Sequence, residues 1–194
     1  MAAAEPPRIR VAGPTDGEAC GAIYAPIVRD TVISMEAAAP DADAMAARIA
    51  ETLRTHPWLV AEQAGTVLGY AYASPHRSRA GYRWAADVSA YVAEPARGQG
   101  LGRALYEALF ALLKRQGFHT AWAGIALPNA ASVGLHEALG FTPVAVYPRV
   151  GFKLGRWVDV GWWGLALQPA TTADGPTPPE PIPFPDLTPN EPHR

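Results

Sequence analysis

One cysteine, Cys20, stands in 194 residues. A lone thiol excludes an internal disulfide framework and any cysteine-rich metal site. An excess of charge of one sign is missing too. With 16 basic and 18 acidic side chains the net charge is −2, so nothing global attracts nucleic acid. No apolar run reaches the length of a membrane helix. The opening MAAAEPPRIR has no apolar core of the kind a secretory leader carries. The histidines fall at no metal-ligand spacing, so no metal is implied. The chain that remains is 49% hydrophobic and 18% charged, which is globular composition with length enough for a sizeable core. A cytoplasmic protein that engages neither nucleic acid nor membrane is the expectation.

The most informative stretch is Trp84 to Leu113, WAADVSAYVAEPARGQGLGRALYEALFALL. Trp84 to Val92 mixes aromatic and β-branched residues with small ones, as a strand does, and Glu94-Pro95 ends it. Arg97-Gly98-Gln99-Gly100-Leu101-Gly102 follows. From there Leu101, Leu105, Ala108, Leu109 and Leu112 recur at helical spacing. The glycines therefore sit where a helix begins. First-turn N–H groups there are unpaired and carry about half a positive charge, which makes a cradle for phosphate. Arg97 and Arg103 stand beside it as charge partners. A P-loop would need Lys-Ser or Lys-Thr after the glycines, and neither is present. A dinucleotide fingerprint would need G-x-G-x-x-G and a later acidic residue. The triplet here is one residue short, and the positions around 120 are neutral.

Taken in order, Ile9 to Ala12 reads as a short strand. Thr15-Asp16-Gly17-Glu18 resembles a capping box that starts a helix near Asp16, running to about Arg29. Thr31 to Glu36 is a connection. Pro40-Asp41 opens a second helix with Met45, Ile49 and Leu53 toward the core, and His56-Pro57 ends it. Trp58 to Gln63 and Thr66 to Ser74 form a hairpin through Ala64-Gly65. A polar loop, Pro75 to Arg83, leads into the central stretch. Gly117 closes the long helix. His119 to Ala126 is a further strand, and Asn129 to Leu139 a helix ending at Gly140. Phe141 to Val146 and Trp157 to Leu167 are two last antiparallel strands joined through Gly151 to Gly155. The order predicts an α+β fold, a mixed sheet with helices on its faces, as a single domain over residues 1–167. Residues 168–194 carry nine prolines and almost no periodicity. They are expected to form a disordered tail.

Two positions stand out for chemistry. Asp87 lies in an apolar strand, where a carboxylate is costly without a partner or a task; burial would raise its pKa toward a base's range. A structural pairing with Arg79 or Arg83 is the competing account. On the helix-forming run Asn129 to Leu139, Asn129, Ser132 and His136 fall at i, i+3 and i+7 on one face, with Leu135 and Leu139 on another. A histidine there is either structural or a hydrogen-bonding group for a ligand arm. Cys20 has no activating neighbour in sequence, so a covalent enzyme intermediate is not expected.

R-x-x-G-x-G between a strand and a helix resembles the pyrophosphate motif of the GNAT superfamily of acetyl-CoA-dependent N-acyltransferases. The element order is that of the GNAT fold over about residues 8 to 167. HPWLVAE, GYAYAS, RAGYRWAADVSAYV, LPNAASVGLHEALGF and VGFKLGRWVDVGWW further resemble its phosphinothricin and methionine-sulfoximine N-acetyltransferases. The resemblance implies acetyl-CoA held by the cradle (Arg97, Gly98, Gln99, Gly100, Leu101, Gly102, Arg103). It implies a pantetheine arm along the backbone of Ser89, Ala90, Tyr91 and Val92, with Asn129 and Ser132 beside it. Asp87 matches the family's strand base, usually a glutamate, and His136 the group near the leaving sulfur. Arg79, Tyr82 and Met35 would contact a small amino acid substrate, Met35 replacing the usual phenylalanine. A homodimer is also implied. A polyamine or protein N-terminus as acceptor, or a non-catalytic acyl-CoA sensor, are the alternatives. The basic loop 76–83 disfavours a polyamine, and the retained Asp87 and His136 disfavour a sensor.

Overall fold

The computed structural model describes residues 6–169 and 176–187. Seven strands, β1 (Arg8–Val11), β2 (Trp58–Gln63), β3 (Thr66–Pro75), β4 (Ala85–Val92), β5 (Thr120–Leu127), β6 (Thr142–Lys153) and β7 (Arg156–Ala166), form one sheet. Their order is β1-β2-β3-β4-β5-β7-β6. Helices α1 (Gly17–Asp30), α2 (Ala42–Leu53), α3 (Leu101–Gln116) and α4 (Ala130–Ala138) complete the domain. All pairings are antiparallel except β4 with β5, which the α3 crossover makes parallel.

Alternation along the strands sends side chains to two cores. Ala86 and Val88 of β4 and Ala121, Ala123 and Ile125 of β5 pack under Leu101, Leu105, Leu109 and Leu113, the buried stripe of α3. On the opposite face Tyr24, Met45 and Ile49 of α1 and α2 cover Trp58, Val60 and Tyr70. Leu53 only borders that cluster, because α2 ends there and its last turn lies at the rim. The hairpin at Ala64-Gly65 has φ of 49° and 78°, the left-handed pair that a two-residue connection of twisted strands requires.

Three expectations are corrected. The run Thr15-Asp16-Gly17-Glu18 forms no capping box: α1 begins just after Asp16, as expected, but no side chain caps it, that of Asp16 included. Both Asp16 oxygens take the Arg10 guanidinium, at 2.7 and 2.8 Å, and the Gly13 N–H donates to the same carboxylate at 2.8 Å. A bidentate cation outcompetes a solvated helix end for one carboxylate. The sixth strand does not stop at Val146; β6 continues to Lys153 across an irregularity between Tyr147 and Gly151, and the turn narrows to Leu154-Gly155. The described part of the proline-rich segment, residues 176–187, lies against the domain. Gln116 donates to the carbonyls of Ile182 at 2.7 Å and Thr55 at 2.8 Å, Trp84 Nε1 donates to Pro179 at 2.7 Å, and Arg83 pairs with Glu180. Proline supplies carbonyls without needing donors, so a segment with no core of its own can still dock by accepting. The rest of the tail, 170–175 and 188–194, and residues 1–5 lie outside the described residues.

The Arg10 contact holds the Asp16 carboxyl below the usual carboxylate range, the hydrogen bond outweighing burial. Folded chains thus bind this proton less readily than unfolded ones, so the pair's stabilisation is present at neutral pH and is lost in acid as Asp16 protonates. In urea titrations an Asp16→Asn variant should fall below wild type at pH 7, and the difference should close as pH drops toward the folded-state pKa. A difference that persists unchanged into strong acid would contradict this linkage.

Candidate active site

The site is built where β4 and β5 part. They pair only at Ala85–Thr120, Ala86–Ala121 and Asp87–Trp122. Beyond that point Val88–Val92 and Ala123–Leu127 remain strands but no longer pair with each other. The gap exposes one edge of β4 whose polar groups can be met by an extended ligand, in the manner of an added strand. Ser89, Ala90, Tyr91, Asn129, Ser132 and His136 line it, with Gly124 and Ala126 opposite, around a slot of about 60 Å³. A wider groove of about 830 Å³ lies elsewhere, between α1 and the loop from Ala93 to Arg97.

At the open end of the gap sits the cradle. Gly98 and Gly100 have φ of 75° and 81°, a left-handed conformation that side chains resist, and an added Cβ at either would meet no protein atom within 4 Å. Both glycines therefore face open space rather than packing. Gly100 is the N-cap of α3, and no side chain satisfies the first-turn N–H groups there. Gly102 differs: a Cβ would lie 3.1 Å from Leu135, so its bareness lets α3 approach α4. Leu101 is buried and serves the core. Arg97 Nε donates to the Val92 carbonyl at 3.1 Å, and Gln99 braces the loop through the Pro95 carbonyl at 3.1 Å. Arg103 reaches Glu107 at 3.4 Å and the Ala138 carbonyl at 3.2 Å, tying α3 to the end of α4. An unpaired strand edge leading to bare helix amides fits a long acyl carrier with a phosphate-bearing end.

Asp87, Ser89 and Tyr91 point to the face opposite Ala86 and Val88. Neither Arg79 nor Arg83 is the Asp87 partner. His76 is: its Nδ1 lies 2.5 Å from Asp87 Oδ1. Burial pushes the Asp87 carboxyl up, opposed by the hydrogen bond from His76 and the charge of Arg77. The His76 ring stacks on Trp122, with centroids 5.5 Å apart, and meets the edges of Trp162 at 5.8 Å and Tyr82 at 6.3 Å. Those indoles are seated by glycines on the neighbouring strand: Gly124 faces Trp162 and Gly164 faces Trp122 in register. A Cβ at either glycine would lie 3.1–3.2 Å from the opposing ring.

The polar stripe of α4 is present but spent differently. Asn129 caps the helix by accepting from Ser132 N–H at 3.1 Å. His136 is buried; its Nδ1–H donates to the Ser132 carbonyl at 2.7 Å, and its Nε2 meets the Tyr106 hydroxyl at 3.1 Å. Burial pushes its pKa down, and both ring nitrogens are engaged. Met35 is exposed, its Sδ against Gly151, where a Cβ would come within van der Waals overlap. Lys153 donates to the Ser34 carbonyl at 2.7 Å, and the Tyr24–Ser34–Glu36–Arg48 network holds the same segment. The 31–36 connection is thus irregular but fixed. Arg79 and Tyr82 are exposed at the turn Ala80–Tyr82, where Tyr82 N–H donates to the Arg79 carbonyl at 2.9 Å. His76 is the Asp87 partner that the sequence reading did not single out. Its signal in the sequence was only its place in the loop before the carboxylate strand.

A splayed parallel pair leading to a glycine-capped helix defines a protein that takes an extended, phosphate-ended acyl carrier. The chain belongs to the GNAT acetyltransferase family, whose acetyltransferase (GNAT) domain matches residues 9–162. It is 43% identical over 153 residues, 78% of each chain, to a phosphinothricin N-acetyltransferase of Alcaligenes faecalis. It is 40% identical to an L-methionine sulfoximine/L-methionine sulfone acetyltransferase of Pseudomonas paraeruginosa over 85% of this chain and 97% of that one. Among solved structures it resembles a phosphinothricin acetyltransferase of Sinorhizobium meliloti in complex with acetyl-CoA, with a TM-score of 0.83 and 34% identity over 89% of this chain and 94% of that one. The expected fold, a mixed sheet of the GNAT kind with helices on its faces, is the one found.

Proposed function

We propose that this acetyltransferase moves acetyl from acetyl-CoA to the α-amine of a small amino acid analogue, phosphinothricin, methionine sulfoximine or methionine sulfone, by direct attack with both substrates bound. The observation that carries the reading is the partly buried carboxylate of Asp87 at the point where β4 and β5 part. An amine on the α1–α2 face reaches a thioester laid along β4 there, and nothing need pass through Cys20, which is buried and whose thiol burial pushes up to about 12.

Acetyl-CoA supplies the activated acyl group. The chain's residues bind, orient and move protons. Amides of the Gly98–Gly102 turn hold the phosphates, and a β4 main-chain N–H between Ser89 and Tyr91 holds the developing oxyanion. Proton loss from the ammonium is served by Asp87, directly or through an intermediary. Tyr106 lines the slot with its hydroxyl against His136 Nε2, and we assign this pair to the departing thiolate. Arg79 and Tyr82, on the loop before β4, and Met35 bound the acceptor end, a basic and amphipathic rim suited to an anionic amino acid. On β6, an edge strand, Val144, Val146, Val150 and Phe152 are exposed beside Trp157. We assign this face to a second copy of the chain. Among the described residues no helix is long and apolar enough to cross a membrane.

The test is acetyl-CoA-dependent thiol release with phosphinothricin, methionine sulfoximine, methionine sulfone and spermidine in parallel. Turnover with an amino acid analogue and none with spermidine is expected. Turnover with spermidine alone would replace the amino acid reading. Acetyl-CoA binding without turnover on any amine would favour a sensor.

A further inference from the structure

We propose that the group that takes the ammonium proton is Nε2 of His76, with Asp87 acting through the ring as its positioning partner. This rests on the acetyltransferase reading above and names the residue that does its acid–base work.

Three observations carry it. At 2.5 Å the contact between Asp87 Oδ1 and Nδ1 is shorter than an ordinary charge-assisted N–H···O bond, so this carboxylate oxygen is already committed to the ring. An ionised carboxylate only accepts, so Nδ1 carries the proton and Nε2 keeps its lone pair. Nε2 makes no hydrogen bond among the described residues, and the His76 side chain keeps 14% of its surface exposed. Trp122 stacks on the ring, and Trp162 and Tyr82 lie edgewise to it. A carboxylate that orients an imidazole and stabilises the imidazolium is a general solution to this proton transfer. The charged and titratable groups around the pair are Arg77, whose guanidinium lies 5.6 Å over the Trp162 ring, Tyr82 from the loop and Tyr72 from β3.

The step balances without a further reagent. One ammonium proton passes to Nε2, giving an imidazolium paired with the Asp87 carboxylate. The amine nitrogen then bonds to the acyl carbon as the C–S bond breaks. The sulfur keeps the electron pair and takes the second proton that the nitrogen sheds, and the imidazolium returns its proton to solvent.

His76→Phe keeps the stack on Trp122 and removes both nitrogens. Its kcat with the amino acid analogue that wild type turns over should fall by roughly 100-fold or more. Acetyl-CoA Kd and the thermal midpoint should stay at wild-type values. The second measurement needs no acceptor: nitrogen-edited NMR of the histidine rings in the full chain. It should show His76 protonated at Nδ1, with a downfield proton that vanishes in Asp87→Asn. A His76→Phe enzyme with kcat within a few-fold of wild type would overturn the proposal and leave Asp87 as the acceptor. So would a ring protonated at Nε2 alone. If wild type turns over no amino acid, the functional reading fails, and the tautomer still decides whether His76 is set as a base.

Discussion

Asp87→Ala should cost kcat about 10²–10⁴-fold on any amino acid acceptor, the range that removal of a general base or its partner produces. Acetyl-CoA affinity should not change. The cradle lies at the other end of β4, beyond Val92, and shares no hydrogen bond with Asp87. Stability should hold as well, because the carboxylate is only half-buried and desolvation already works against its charge. The variant leaves His76 packed between Trp122 and Trp162 but frees Nδ1, so the tautomer is no longer imposed. Steady-state kinetics with a parallel titration of acetyl-CoA separate the two quantities. Unchanged kcat would remove Asp87, and the acid–base assignment with it, from the mechanism. Asp87→Asn is the finer probe, since it keeps an acceptor for Nδ1–H and loses only the charge that stabilises an imidazolium.

Gly100→Val should instead weaken cofactor binding severely. A β-branched residue at φ of 81° is strained by roughly 1–2 kcal/mol. With no protein atom within 4 Å of its Cβ, the new side chain projects into the space a phosphate would fill. Displacing one or two charge-assisted hydrogen bonds, about 1.5–3 kcal/mol each, weakens Kd on the order of 100-fold. Calorimetric titration with acetyl-CoA measures it, and a thermal scan checks that α3 still folds. Wild-type affinity in a folded Gly100→Val protein would show that the phosphates lie elsewhere, the groove beside Arg97 being the next place to look. Together the two variants divide the site. One loses turnover and keeps the cofactor, while the other loses affinity for the cofactor itself.

The sequence by itself settled what short-range physics controls. Apolar spacing of 3.6 and 2 residues, with cap and turn residues, placed the four α-helices and seven strands apart from the second half of β6, because each element buries one face whatever its partners are. Glycines after a strand and before a helix marked the cradle, since few other uses explain bare, left-handed backbone at a helix start. A carboxylate in an apolar strand marked Asp87. What the sequence left open was decided by register and packing over long separations. His76 and Asp87 are 11 residues apart and meet only because β3 and β4 pair Ser74 with Asp87 and Pro75 with Ala86. Arg79 and Arg83 are nearer in sequence but lie around the turn at Ala80–Tyr82, where Arg83 is drawn to Glu180. His136 has the helical spacing of a ligand-facing residue. Whether its nitrogens were free depended on Tyr106, 30 positions away on α3, and on the carbonyl one turn back. The slot itself exists because β4 and β5 part after three paired positions, and strand divergence leaves no mark in either strand's own pattern. Local chemistry chose the parts, and the tertiary fold chose which of them touch.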